Sequence, residues 1–313
     1  MTTSRLAGQR VLVTGATGFI GGHLLPTLLD RGAEVHAMST RPHTAAPGPV
    51  RWHRADLRRP EEVAAVVHAA EPTVVFHLAA YGASADQRDT ALLTAVNVDG
   101  TRTVWEALPP ATRFVMTGTC AEYGEVAGPA VETRSCHPAS PYAAAKHAAV
   151  RLVVEGACAE GRPAVILRPY GPYGPADHPS RVIPSTIAGL LRGDEVAVTG
   201  GQQRRDFSYV TDHVEALVLA ATREGLAPGA IYNIGSGVAI TLRDALEQVA
   251  AIVDGPGRLA FGARPYRDDE IWEMVPDVSA AARDLGFGAR VSFEDGLRRT
   301  AAWTRAHLAG ARA

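Results

Sequence analysis

Residues 10–25 read RVLVTGATGFIGGHLL and decide the fold. An apolar run is followed by glycines at Gly15, Gly18 and Gly21 and then by a stretch with helical spacing. Glycines at such a turn let the backbone approach a pyrophosphate, which the positive end of the following helix attracts. The stretch therefore predicts the first strand, turn and helix of a dinucleotide-binding sheet.

Predicted strands and helices alternate through the first 170 residues. Strands are expected at 33–39, 73–80, 113–119 and 163–170, and helices at 60–70, 89–108 and 140–159. This alternation predicts an α/β fold, a doubly wound parallel sheet of the Rossmann type. We expect a dinucleotide-binding domain over 1–170, extended by 206–235. A smaller, mixed C-terminal substrate-binding region is expected over 171–205 and 236–313.

Composition excludes several classes of protein. The chain has 313 residues, 46% of them hydrophobic and 20% charged, with a net charge of −2. A near-neutral balance argues against a nucleic-acid or membrane-surface partner. Three cysteines without ligand spacing indicate neither a disulfide framework nor a metal site. The start, MTTSRLAGQR, has no apolar signal core. We expect a cytoplasmic protein without a metal.

Residues 140–148, SPYAAAKHA, hold the only lysine of the chain, Lys146. Ser140 and Pro141 are typical first residues of a helix, so Tyr142 and Lys146 lie one turn apart on one face. A free tyrosine has a pKa of about 10, and a nearby cation favours the phenolate. The pair predicts proton transfer by Tyr142, with Lys146 as a compact cation that arginine replaces poorly.

These motifs together resemble the extended short-chain dehydrogenase/reductase family, whose NAD-dependent epimerase/dehydratase members modify sugar nucleotides. The resemblance starts at residues 13–21, VTGATGFIG, and includes the Tyr-x-x-x-Lys pair. Residues 55–57, ADL, resemble the family's adenine-contacting turn, and residues 76–80, FHLAA, its fourth strand beside the cofactor. Residues 97–101, NVDGT, resemble a structural helix motif. The resemblance spans nearly the whole chain and implies a homodimer.

The resemblance implies a set of cofactor-binding residues. They are Gly15, Gly18, Phe19, Ile20, Gly21, Ser39, Arg41, Asp56, Leu57, Leu78, Ala79, Ala80, Asn97, Tyr142, Lys146 and Pro169. At the end of the second strand, Ser39 stands where an acid would reject a 2′-phosphate, and Arg41 follows. This pair favours NADP(H), with NAD(H) as the alternative if Arg41 is simply a surface residue.

The third reacting residue is implied by residues 114–124, FVMTGTCAEYG, which resemble the family's strand ending in Ser/Thr-x-x-x-Tyr-Gly. Counting back four from Tyr123 gives Thr119, whose hydroxyl would bind the substrate oxygen beside Tyr142. Thr117 is the alternative, because strand alternation places both hydroxyls on the same side. The resemblance thus implies the catalytic residues Thr119, Tyr142 and Lys146.

Two departures from the family pattern narrow the chemistry. The dehydratase members carry an acid two positions after the Ser/Thr, where this chain has Ala121; Glu122 is one place further and is expected to point away. The 3,5-epimerase/reductase members use a cysteine and a histidine at positions that hold Ala121 and Arg181 here, with Cys120 off by one. Both chemistries are disfavoured.

The substrate side is implied by two further matches. Residues 168–175, RPYGPYGP, resemble an Arg-Pro-x-Asn-x-Tyr-Gly-Pro loop in which Gly171 replaces the asparagine. Residues 204–212 and 264–272 resemble the segments whose arginines hold the substrate diphosphate. The implied substrate-binding residues are Tyr81, Cys120, Gly171, Arg181, Val182, Arg205 and Arg267.

Three functions are compatible with these residues. The first is NADPH-dependent reduction of the 4-keto group of a nucleotide-activated, dTDP-linked 4-keto-6-deoxyhexose, as in the reductase branch of the family. The second is a 4-epimerase of nucleoside-diphosphate sugars with tightly bound NAD. The third is a non-catalytic NADP-binding protein, against which the intact Thr119, Tyr142 and Lys146 argue.

Overall fold

The computed structural model describes residues 5–41, 48–83, 87–268 and 270–310. Its strands are β1 (Arg10–Thr14), β2 (Glu34–Ser39), β3 (Arg51–Arg54), β4 (Val74–His77), β5 (Arg113–Thr117), β6 (Ala164–Pro169), β7 (Pro172–Tyr173), β8 (Glu195–Val198), β9 (Arg204–Arg205), β10 (Ser208–Tyr209), β11 (Ala230–Ile234), β12 (Ile240–Thr241), β13 (Arg258–Phe261) and β14 (Glu273–Met274). Its α-helices are α1 (Phe19–Asp30), α2 (Pro60–Ala70), α3 (Thr90–Leu93), α4 (Gly100–Ala107), α5 (Pro141–Glu160), α6 (Val182–Arg192), α7 (Val210–Thr222), α8 (Leu242–Val253) and α9 (Phe293–Gly310).

Seven strands form one parallel sheet in the order β11-β6-β5-β4-β1-β2-β3. Alternate residues of β1 face opposite sides: Val11 and Val13 belong to the core with α1 and α7, and Leu12 belongs to the core with α2, α4 and α5. Burial on both faces explains the continuous apolar runs of these strands. The predicted doubly wound α/β fold is confirmed.

The elements that follow β6 in the chain form small sheets and a second group of helices, apart from α7 and β11. Three small sheets pair β7 with β10, β8 with β13, and β9 with β12 and β14. Helices α6, α8 and α9 pack on one another around Ile183, Val249 and Leu297. In contrast, β11 pairs with β6 in the main sheet. Helix α7 packs against this sheet and contributes to its hydrophobic core. The boundaries of the two expected regions stay a prediction.

Several elements differ in detail from the sequence-based expectation. The short edge strand β3 was not expected, because its residues RWHR have no apolar alternation. The stretch predicted as one helix over 89–108 contains a π-helical segment, Thr94–Asp99, between α3 and α4. Strands β4 and β5 end at His77 and Thr117, so the residues after them form loops at the sheet edge. Among the described residues, no helix is long and apolar enough to span a membrane.

A chain of buried hydrogen bonds joins β1, β4 and the helical segment after residue 90. The Thr101 hydroxyl donates to the Asn97 carbonyl (2.6 Å), so it accepts from His77 Nε2 (2.9 Å). His77 Nδ1 then accepts from the Thr14 hydroxyl (2.8 Å), which in turn accepts from the Ala79 amide (3.3 Å). Every member is satisfied only when His77 is neutral, and burial lowers its pKa to about 3.

His77 should make stability depend on pH. Its pKa is about 3 in the folded chain and returns to about 6.5 on unfolding, so the unfolded state binds the extra proton between these values. Its contribution is complete above pH 6.5 and is lost as pH falls, by about 2 kcal/mol at pH 5. We expect His77→Gln to lose stability less steeply than the parent chain between pH 6.5 and 4.5 in denaturant titrations.

The control for this prediction is His68→Gln, which changes an exposed histidine on α2. It should retain the parent slope. Parallel pH curves for the parent and His77→Gln would show that His77 does not titrate on unfolding.

Candidate active site

The glycine turn after β1 forms a cradle that has no room for side chains. Gly15 has a φ of +67°, and a Cβ there would lie 2.6 Å from the amide nitrogen of Ala79. A Cβ on Gly21 would lie 2.5 Å from the Gly15 carbonyl oxygen. Gly18 is the N-cap of α1 and offers no side-chain cap, so the first amides of that helix stay available. This cradle fits the pyrophosphate of a dinucleotide.

A cavity of about 380 Å³ extends from this cradle to the small sheets. It brings together most of the predicted site residues: Gly15, Gly18, Phe19, Ile20, Gly21, Leu78, Ala80, Thr119, Cys120, Tyr142, Lys146, Pro169, Gly171, Arg181 and Arg205. Phe207 and Met274 also line it, and the sequence motifs did not indicate them. The cofactor-facing and substrate-facing residues thus share one cleft.

Helix α5 places Lys146 at the floor of the cleft. Ser140 caps the helix by accepting from the Ala143 amide at 3.2 Å, as its position predicts. Lys146 is 2% exposed, and its Nζ donates to the Thr117 carbonyl oxygen at 2.6 Å. Burial lowers the pKa of Lys146 to about 8, while Glu122 acts in the opposite direction. The only lysine is therefore a buried cation with a defined partner.

Tyr142 lines the cleft from α5, one helical turn before Lys146. Burial raises the pKa of Tyr142 to about 12, and among the described charges Arg181 is the foremost cation that opposes this rise. The Lys146 ammonium group is directed at the Thr117 carbonyl, and its influence on the pKa of Tyr142 stays a prediction. Arg181, at the N-cap of α6, brings a charge from the substrate side to the reacting tyrosine.

Thr119 lies beside Tyr142, two residues beyond β5. Its hydroxyl accepts from the Ala121 amide at 3.3 Å and so caps the 3₁₀ turn Cys120–Tyr123. A side-chain hydrogen bond from Thr119 also influences the pKa of Tyr142. Thr117 lines the same cleft, but its carbonyl oxygen is the partner of Lys146. Thr119 is thus better placed than Thr117 to act with Tyr142.

The residues expected near the adenosine do not line the cavity. They lie at or just after the carboxyl ends of β2 and β3, on the side of the sheet where the glycine turn follows β1. Ser39 ends β2, its hydroxyl accepts from the Arg41 amide at 3.2 Å, and the Arg41 side chain is exposed. Asp56 is held by Arg58 at 2.5 Å, and this hydrogen bond lowers the pKa of its carboxyl. Leu57 is buried next to Gly100. The role of Arg41 in binding a ligand phosphate stays a prediction.

Other predicted residues have mainly protein partners. The Asn97 amide accepts from the Tyr81 amide and donates to its carbonyl, both at 2.8 Å, so it holds the loop after β4. The Ala79 backbone packs on Gly15, and Val182 begins α6. Their side chains do not line the cavity among the described residues. Asn97 and Ala79 therefore contact the loops that surround the cavity and do not face the cavity itself.

The two predicted diphosphate arginines are not equivalent. Arg205 lines the cleft and pairs with Glu270 at 2.6 Å. Arg267 is exposed and is not among the described residues that line the cavity. Gly171 has a φ of +38°, and a Cβ there would overlap the Asp206 carbonyl oxygen. The structure therefore brings one arginine to the cleft and leaves no room for an asparagine at position 171.

A buried cluster behind the reacting residues was not predicted. Glu122 points away from the cleft, as expected, and pairs with Arg168 at 2.8 Å and with His147 at 3.3 Å. Ligand atoms of Glu122, Cys136 and His147 lie within 4.8 Å of one another. However, the Arg168 guanidinium donates to both Glu122 and Cys136, so a cation is already present between them. We assign no metal there.

A sequence profile described as "NAD dependent epimerase/dehydratase family" matches residues 11–235. The chain belongs to this family. Membership agrees with the cradle and confirms the resemblance seen in the motifs. Structural neighbours solved with NAD also support a nicotinamide dinucleotide as the cofactor.

Individual members of the epimerase/dehydratase family differ in chemistry. The dTDP-glucose 4,6-dehydratase of Streptomyces griseus is 31% identical, over 95% of this chain and 94% of its own length. MoeE5, solved with UDP-glucuronic acid and NAD, is 33% identical with a TM-score of 0.86, over 95% of this chain and 99% of its own. The UDP-glucose 4-epimerase of Thermotoga maritima is 28% identical with a TM-score of 0.87, over 95% and 99%.

Lys146→Arg tests why the chain has lysine at this position. The charge is retained, but the planar guanidinium needs more space than the buried ammonium has beside the Thr117 carbonyl. We expect weaker dinucleotide binding in titration calorimetry and a turnover rate lower by roughly 100-fold.

Arg151→Lys is the matched control, since it makes the reverse exchange at an exposed site on the same helix. It should bind and turn over like the parent chain. A Lys146→Arg variant with parent affinity and rate would mean that only charge matters at this position.

Proposed function

We propose that this family member is an NADPH-dependent ketoreductase that reduces the 4-keto group of a nucleotide-activated 4-keto-6-deoxyhexose. The observation that carries the proposal is a cleft that holds Thr119, Tyr142 and Lys146 together, without an acid at position 121. These residues are sufficient for hydride transfer coupled to one proton transfer.

The protonation states favour reduction. Bound NADPH would supply the hydride. With a pKa raised to about 12 by burial, Tyr142 is a phenol that can donate its proton to the oxygen of the reduced carbonyl. The Thr119 hydroxyl would donate a hydrogen bond to the same oxygen and polarise it. Lys146 would hold the dinucleotide ribose and keep the α5 face charged.

The absence of an acid at position 121 disfavours water elimination. Ala121 has no titratable group, and Glu122 is held by Arg168, His147 and the Thr119 amide. Cys120 lines the cleft, but burial raises the pKa of its thiol to about 11, so it is a poor base at neutral pH. A dehydratase or a cysteine-dependent epimerase therefore lacks its proton carrier here.

A nucleoside-diphosphate sugar is the substrate class that suits the cleft. Arg205 and Arg181 line it and can bind the diphosphate. The sugar nucleotides named for the relatives, dTDP-glucose and UDP-linked sugars, support this class. We propose dTDP as the carrier, with assembly as a homodimer and a cytoplasmic location as further predictions.

A 4-epimerase is the second candidate, and the structural likeness to the Thermotoga maritima UDP-glucose 4-epimerase favours it. An epimerase uses the same reacting residues but regenerates its cofactor in each turnover. It would therefore retain NAD through purification and consume none.

The test is NADPH consumption at 340 nm with dTDP-, UDP- and GDP-linked 4-keto-6-deoxyhexoses. We expect turnover with at least one carrier, and a loss of roughly 1,000-fold or more in Tyr142→Phe, which lacks the proton. Interconversion of two 4-epimers without net cofactor consumption would identify the epimerase instead. Dinucleotide binding without turnover of any sugar nucleotide would overturn both.

Arg41→Ala tests the preference for NADPH. Removing a guanidinium from the 2′-phosphate should raise the KM for NADPH by roughly tenfold and leave that for NADH unchanged. Arg51→Ala is the control, because Arg51 is exposed on the edge strand and pairs with Glu34. Equal effects of Arg41→Ala on both cofactors, or a parent preference for NADH, would contradict the assignment.

A further inference from the structure

The backbone of residues 117–119 is held from both sides by opposite charges. The Lys146 ammonium donates to the Thr117 carbonyl at 2.6 Å, and Glu122 Oε1 accepts from the Thr119 amide at 2.8 Å. Gly118 lies between them, and a Cβ there would overlap Glu122 Oε1. The segment that carries the reacting hydroxyl is thus fixed by one carboxylate and one ammonium.

Glu122 has the surroundings of a permanent anion. It is 0% exposed, and Arg168 donates to its Oε2 at 2.8 and 3.2 Å, with His147 at 3.3 Å. Burial alone would raise the pKa of its carboxyl, but His147, Arg168 and the Thr119 amide together lower it. A buried carboxylate with this many donors stays charged near neutral pH.

We propose that Glu122 is a positioning residue for the reaction: its Oε1 holds the Thr119 amide and so orients the Thr119 hydroxyl, and its carboxylate is the counter-charge to the Lys146 ammonium that holds the same backbone at Thr117. Glu122 acts through these two residues and does not contact the cleft. The inference rests on the proposed function only in that Thr119, Tyr142 and Lys146 are the reacting residues.

The other titratable groups around Lys146 do not supply this charge. His77, from β4, is buried and neutral, and its influence on Lys146 is that of a potential cation. Tyr142, one turn earlier on α5, is a neutral phenol with a pKa of about 12. Arg168 and His147 are hydrogen-bonded to Glu122 Oε2 and supply no negative charge. Within the part of the chain that the structure describes, Glu122 is therefore the anion that offsets the lysine.

The lone lysine makes a direct measurement possible. Lysine labelled with ¹³C at the ε-carbon gives a single side-chain signal in this chain, and its chemical shift reports the charge of Lys146. Titrating the full-length protein between pH 6 and 11 gives a midpoint that we expect at about 8. This readout needs neither substrate nor turnover, so it tests the inference even if the proposed function fails.

Glu122→Gln removes the charge and should lower this midpoint by about one pH unit. With an active enzyme, the alkaline limb of the pH–rate profile should shift by the same amount. The turnover rate should fall by roughly tenfold or more, with little change in the KM for the sugar nucleotide. Glu132→Gln is the matched control, because Glu132 accepts from the Asn233 amide close to Arg168 but does not contact Thr119.

Glu122→Asp separates the two roles and serves if Glu122→Gln does not fold. The charge is retained, so the lysine midpoint should stay at the parent value. The shorter side chain withdraws from the Thr119 amide, so the turnover rate should still fall. An unchanged midpoint in folded Glu122→Gln, or a midpoint in Glu122→Asp that falls together with its thermal stability, would overturn the proposal.

Discussion

The close contact between the backbones of Gly15 and Ala79 is the constraint on which the cleft depends. The turns after β1 and β4 meet there without any side chain between them. A chain of hydrogen bonds from Ala79 through Thr14 and His77 to Thr101 also joins the ends of β1 and β4. Any side chain at position 15 would separate the turns and displace both the cradle for the pyrophosphate and the wall formed by Leu78 and Ala80.

Burial is the main influence on the pKa values of the titratable groups in the cleft. The same loss of water raises the pKa of Tyr142 to about 12 and that of Cys120 to about 11, and lowers that of Lys146 to about 8. In each case burial shifts the equilibrium towards the neutral form, although Lys146, with a pKa of about 8, remains mainly charged at neutral pH. The cleft thus suppresses a thiolate and a phenolate while keeping a proton available. Position 121, where the resemblance implies an acid in the dehydratase members, holds Ala121 in this chain.

Local patterns predicted the sheet, the glycine cradle and the Tyr142–Lys146 pair, because each depends on neighbours within a turn or one strand. The sequence did not predict that Arg181 acts on the pKa of Tyr142 or that Arg168 pairs with Glu122. These pairs are distant in sequence and meet only through the folded chain. Arg267 was expected beside Arg205 on the motif alone; it is exposed, and its role at the diphosphate stays a prediction. Edge strand β3 lacked an apolar pattern because little of it is buried.

Gly171 has a consequence for how this cleft can change over evolutionary time. Its left-handed backbone and the adjacent Asp206 carbonyl exclude any larger side chain, the asparagine of the resembling loop included. Placing asparagine at position 171 would require the segment around residue 206 to move, and that segment also carries Arg205. The two positions are therefore coupled: asparagine at position 171 alone leads to a steric clash, and only a second change near residue 206 could relieve it. Variation in this loop is thus limited by a contact between two backbones and not by the chemistry of the cleft.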